Sequence, residues 1–142
     1  MKQEPFVIER TYNAPIAKVW KAITDNNDMK QWYFKLPDFK AEVGFEFEFM
    51  GGKSKDKQFR HLCKVTDVVP GKKIAYSWRY DGFPGYSVVT WELFDEGGKT
   101  RLKLTHDGLE TFTGDADLAR ENFEAGWASI AGTALKNFVE KK

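Results

Sequence analysis

Two histidines, one cysteine and a dense set of aromatic rings are the residues of this chain whose chemistry could serve a site. His61 and Cys63 fall in an alternating run, Phe59, His61, Cys63, Val65, and His106 closes another, Leu102, Leu104, His106. A histidine can act as acid or base near neutral pH. On a strand, however, the residues sharing the face of His61 are Phe59 and Cys63, with no carboxylate to pair with it. The expectation is a buried, hydrogen-bonded imidazole, and the same reading applies to His106. Cys63 reads as a small core residue, because nothing beside it would lower its pKa. Two histidines and one cysteine fall short of the usual zinc ligand sets, so neither metal nor another cofactor is expected. Arg120 and Glu124 complete the polar candidates. Spaced i, i+4 on a helix they form an exposed pair worth a few tenths of a kcal/mol. Alternatively Arg120, in the same arc as Phe123 and Trp127, offers an orienting charge to the polar end of a ligand.

The bulk properties narrow the classes. A chain of 142 residues fits one domain able to bury a core without disulfides or metal. With 22 Lys and Arg against 21 Asp and Glu the net charge is +1, which gives no field for nucleic acid or an anionic membrane. The loop lysines Lys53, Lys55 and Lys57 are interrupted by Asp56 and carry no interleaved aromatic platform. Gly51-Gly52 and Gly97-Gly98 lack the surroundings of a phosphate-binding loop and read as turns. No run approaches the ~18 apolar residues of a membrane span, and the N-terminal stretch is unlike a signal peptide. The single cysteine suits a reducing compartment, so the cytoplasm is expected. Aromatics make up 15% of the chain, with five Trp, so the interior must be built from large rings.

The elements that position these residues follow from periodicity. Residues 6–12 alternate as a strand, and Pro15 fits the first position of a short helix carrying Ile16, Val19, Trp20 and Ile23 to about Asp25. Asn26 to Asp28 read as a break, then Met29 to Phe34 as one helical turn ended by Pro37. Phe39 and Ala41 suggest a short strand. Phe45, Phe47 and Phe49 then alternate with Glu46 and Glu48 until Gly51-Gly52, and residues 53–58 read as a loop. Strands follow around His61, around Tyr76, Trp78 and Tyr80, around Trp91, and up to His106. Short turns between them make an antiparallel meander, dry on one face and wet on the other. Leu62, Val68 and Phe94 are apolar residues on the wet face. From Asp115 to Lys142 runs one long helix, with Asp115 or Asp117 as its cap and Phe123, Trp127, Ile130, Ala131, Ala134, Leu135 and Phe138 as its apolar stripe.

This order resembles the helix-grip fold of the START and Bet v 1-like superfamily. Asn13-Ala14-Pro15, Val19-Trp20, Ala22-Ile23-Thr24-Asp25 and Gln31-Trp32-Tyr33, with Gly126-Trp127 in the last helix, are similar to the signature of the family named after the activator of Hsp90 ATPase homologue 1. The resemblance covers nearly the whole chain. It implies an α+β domain, residues 1–142, in which a curved antiparallel sheet of about six or seven strands wraps a long C-terminal helix, with two short helices after the first strand. It also implies a cavity between sheet and helix. Trp32, Phe47, Phe49, His61, Cys63, Tyr76, Trp78, Trp91, His106, Arg120, Phe123 and Trp127 are the residues expected around it. A lining of this make-up suits a small apolar or amphipathic molecule. Three functions follow as expectations: a non-enzymatic binding protein, a module associated with an Hsp90-type chaperone in stress response, and an enzyme of the cyclase or hydrolase type using pocket acids and bases.

Overall fold

A computed structural model describes residues 4–33, 36, 38–54 and 56–141, with the backbone alone for residues 53 and 54. Phe34, Pro37 and Lys55 therefore lie outside the described residues. Strand β1 (Phe6–Tyr12) is followed by helices α1 (Ile16–Thr24) and α2 (Asn26–Trp32). The meander β2 (Glu46–Ser54), β3 (Lys57–Val69), β4 (Lys73–Tyr80), β5 (Ser87–Asp95) and β6 (Thr100–Asp107) comes next. Two single 3-10 turns, Leu109–Thr111 and Ala116–Leu118, lead into a helical run composed of α3 (Arg120–Ser129), a π turn (Ile130–Ala134) and α4 (Leu135–Val139). The six strands form one curved antiparallel sheet in the order β1-β6-β5-β4-β3-β2, and the C-terminal helix lies in its grip.

Local chemistry explains where the elements depart from simple periodicity. Pro15 precedes the first helical residue, and its carbonyl accepts from the backbone N–H of Lys18 and Val19 at 3.0 and 3.2 Å. Asn26 to Asp28 form the first turn of α2 instead of a break, because the Asp25 carboxylate accepts from the Asp28 N–H at 3.1 Å and caps the helix. Trp32 Nε1 then donates to the Ala22 carbonyl at 2.8 Å, folding α2 back on α1. Phe39 and Ala41 form no strand. Phe39 is buried as an isolated anchor, its ring 5.8 Å from Phe45 and 5.2 Å from Phe47.

The β2–β3 hairpin is longer than the alternation suggests. Pairing runs on through Gly51 opposite Phe59 and Ser54 opposite Lys57, with an irregularity between them. Gly52 makes this possible, since a Cβ there would overlap the Lys57 carbonyl oxygen. The wet face is also partly dry. Ala75 and Ser77 of the central strand β4 are buried, small residues flanked by Asp67 and Thr90 and by Lys64 and Val88 on the neighbouring strands.

The C-terminal helix starts at Arg120, not at Asp115. The Asp115 carboxylate instead caps the preceding 3-10 turn, accepting from the Asp117 N–H at 2.9 Å. Its buried residues Phe123, Trp127, Ala131, Leu135 and Val139 repeat every fourth position. In a regular α-helix each such step overshoots a full turn by about 40°. The wider π turn takes back part of that drift and keeps Leu135 and Val139 facing the core. Tyr12 of β1 donates to the Ala131 carbonyl inside this turn at 2.6 Å.

Candidate functional site

The inner face of the sheet is divided into a filled half and an open half. In the filled half, Trp32 and Tyr33 stack on each other with centroids 5.0 Å apart, and both meet Trp91 edge-on at 6.1 and 6.0 Å. Tyr33 also reaches Phe49 and Trp127, each at 6.5 Å. The polar tips there are satisfied: Trp91 Nε1 donates to Tyr76 Oη at 2.9 Å, and the Tyr76 and Tyr33 hydroxyls are 3.0 Å apart. Phe47 packs edge-on against Tyr76 at 5.1 Å. Cys63 is buried between them and Trp78 along the sheet, and burial pushes its thiol well above the usual range, which leaves it inert.

The open half is a cavity of about 480 Å³ towards the tip of the β2–β3 hairpin. Its sheet wall consists of Gly51, Gly52, Phe59, His61, Trp78 and Tyr80. Its helical wall consists of Leu118, Asn122, Phe123, Ala125, Gly126, Trp127 and Ile130, with Asp117 at the lip. Four of the residues expected around a cavity, His61, Trp78, Phe123 and Trp127, line it together. Trp32, Phe47, Phe49, Cys63, Tyr76, Trp91 and His106 are buried behind it. Arg120 lies outside. Its Nε donates to Glu124 at 3.0 Å and its Nη1 to the Glu4 carbonyl at 2.6 Å, so the first turn of α3 is tied to the chain before β1.

The two histidines are held neutral by their surroundings. Trp127 Nε1 donates to His106 Nδ1 at 2.9 Å, and an indole N–H can only donate, so Nδ1 carries no proton. The Nε2–H therefore donates to Ser87 Oγ at 2.7 Å, and the Ser87 hydroxyl donates to the Trp78 carbonyl at 3.0 Å. This chain ties the Trp127 indole, through one buried imidazole and Ser87, to the backbone of Trp78, whose own indole donates to Tyr80 Oη at 2.8 Å. Burial lowers the His106 pKa to about 3. His61 stacks on Phe49 at 4.4 Å and donates Nδ1–H to the Phe59 carbonyl at 2.9 Å. Burial lowers its pKa to about 4, opposed by its bonds to the backbone of Phe59 and Phe49.

Ion pairs close the lip. Lys57 Nζ lies 3.0 Å from Asp115 and 3.4 Å from Asp117, tying the start of β3 to the turn before α3. Asn122 Nδ2 donates to the carbonyls of Asp117 at 3.0 Å and Ala116 at 3.3 Å, which turns its Oδ1 away from both. Sequence reasoning missed Tyr80, Phe59, Asn122 and Gly126 as wall residues. Tyr80 and Phe59 share their strand faces with Trp78 and His61, so the alternation contained that signal. For Asn122 and Gly126 the signal is absent, because wall membership depends on where α3 begins.

The family model described as activator of Hsp90 ATPase homolog 1-like protein matches residues 13–140. No curated protein matches the chain. Among solved structures, protein CV1439 from Chromobacterium violaceum superposes with a TM-score of 0.81 at 22% identity, covering 97% of this chain and 98% of that one. Mll3558 from Rhizobium loti gives 0.78 at 25% identity, covering 94% and 96%. BH1534 from Bacillus halodurans gives 0.74 at 28% identity, covering 98% and 99%.

Proposed function

This chain belongs to the activator of Hsp90 ATPase homolog 1-like family, and from that premise we propose that it is a cytoplasmic protein that binds a small, largely apolar molecule in the open half of its helix grip. The observation that carries the reading is Gly126. A glycine inside a helix costs about 0.5–1 kcal/mol relative to alanine. A Cβ at Gly126 would meet nothing within 4 Å, so no neighbouring atom of the protein demands a glycine there. What the missing side chain leaves free is the space of the cavity, between Trp127 on one side and Phe123 on the other. The ring-lined walls match an apolar guest, and the volume accommodates one of two to three fused or linked rings.

The test is titration with N-phenyl-1-naphthylamine, a neutral fluorescent probe, against wild type and Gly126→Leu. Wild type binds one equivalent saturably. Gly126→Leu gains helix propensity, keeps or raises its denaturation midpoint, and loses the probe because leucine occupies its place. Equal affinity in the two folded proteins, or no saturable binding by folded wild type, overturns the reading.

A further inference from the structure

We infer that the phenol of Tyr80 is the hydrogen-bond donor that orients the guest, and that the guest is a neutral aromatic molecule carrying a carbonyl-type acceptor at its buried end. This inference rests on the reading of the cavity as a ligand site.

Tyr80 is 4% exposed and lines the cavity. Trp78 Nε1 lies 2.8 Å from its Oη, and because indole is a donor only, the phenol oxygen is the acceptor in that bond. The hydroxyl proton of Tyr80 is left over, and no acceptor takes it among the described residues. Other buried tyrosines are placed differently: Tyr12 donates to the Ala131 carbonyl, and the Tyr76 hydroxyl meets that of Tyr33. Burial raises the Tyr80 pKa, so the phenol remains a donor at any physiological pH. A guest that brings an acceptor to this O–H gains one neutral hydrogen bond inside an apolar cavity.

The rest of the lining sets the charge and shape of the guest. Among the described residues of the wall, Asp117 is the charged one at pH 7, since His61 is neutral. Lys57, beside the lip, is already shared by Asp115 and Asp117. An anionic guest would enter past the Asp117 carboxylate and meet no cation among the described residues of the wall, at a cost in desolvating its charge. Trp78 and Trp127 meet at 60° with centroids 5.5 Å apart, and Phe59 and Phe123 extend this wall, which suits a planar ring system.

The experiment compares 9-fluorenone with fluorene, which share one tricyclic frame and differ by the carbonyl, and adds fluorene-9-carboxylate as the anion. Wild type binds 9-fluorenone roughly three- to tenfold more tightly than fluorene, the ratio one neutral hydrogen bond gives. Tyr80→Phe brings that ratio to about one. The variant also leaves Trp78 Nε1 without its acceptor and can fail to fold, so the carbonyl stretch of fluorenone bound to wild type is read as well. It moves to lower wavenumber than in an apolar solvent. Equal affinities with an unshifted carbonyl, or a preference that survives in folded Tyr80→Phe, overturn the role of Tyr80 and leave the cavity a ligand site. Carboxylate binding as tight as that of fluorenone overturns the neutral guest. Binding of none of the three overturns both this inference and the reading beneath it.

Discussion

Acid should destabilise this protein through its two buried histidines, and His106→Gln should remove half of the effect. The ordinary histidine pKa of 6.5 applies to the unfolded chain, whereas burial lowers His61 to about 4 and His106 to about 3 in the folded protein. Between these values the unfolded state binds more protons, so each histidine's contribution is fully present above about pH 6.5 and is lost as pH falls towards the folded values. At pH 5 the loss is about 2 kcal/mol for each, or about 4 kcal/mol together relative to pH 7. Among the described residues no charged group offsets this: Trp78, Phe123 and Trp127 surround the ring at 5.7, 5.2 and 5.8 Å, and Ser87 accepts its remaining N–H. Glutamine can reproduce both bonds, accepting from Trp127 and donating to Ser87, while giving up the titration. Urea unfolding of wild type and His106→Gln at pH 7 and pH 5 is the assay. The pH 7 to pH 5 loss should be about 2 kcal/mol smaller in the variant. Asp67, Asp115 and Glu140, whose pKa values are lowered by ion pairs and backbone bonds, also lose stability in acid, but equally in both proteins, so the difference isolates His106. An identical loss in the two proteins would refute the assignment, as would NMR titration of the His106 ring above pH 6.

Two further outcomes test the cavity's rim. Gly52→Ala drives a methyl group into the Lys57 carbonyl and should lower stability by about 2 kcal/mol or more, read as a shift in the denaturant midpoint; an unchanged midpoint would show that the hairpin tip relaxes freely. Lys57→Met severs the contacts to Asp115 and Asp117 across the lip, so N-phenyl-1-naphthylamine should leave faster in stopped-flow displacement at an unchanged thermal midpoint. Added salt should speed release from wild type towards the variant's rate, and salt-independent rates would contradict the clasp.

The inner face of the sheet was legible because alternation has a period of two wherever one face is dry: Phe47, Phe49, His61, Cys63, Tyr76, Trp78, Trp91 and His106 are all buried on it. Which of them border open space was not legible, because that depends on α2. Trp32 and Tyr33 plug one half of the grip, and their position is set by the Asp25 cap and the Trp32 bond to Ala22. Arg120 could be placed on an arc of the helix, but its bond to the Glu4 carbonyl joins residues 116 positions apart. The π turn was equally hidden, since a stripe at i, i+4 and i+7 is compatible with an unbroken α-helix. The protonation pattern of His106 and Tyr80 needed the indoles of Trp127 and Trp78 in place, because a donor-only partner is what decides each one.

The most direct measurement on the open half-grip is an amide-resolved NMR titration of the wild-type protein with N-phenyl-1-naphthylamine. A guest between hairpin and helix should shift Gly51, Gly52, Phe59, His61, Tyr80 and residues 122–127 in a single saturable process, and leave the amides of the filled half around Tyr33 and Tyr76 nearly still. Shifts spread over the outer sheet face, or a native spectrum that does not respond at saturating probe, would contradict a ligand site there.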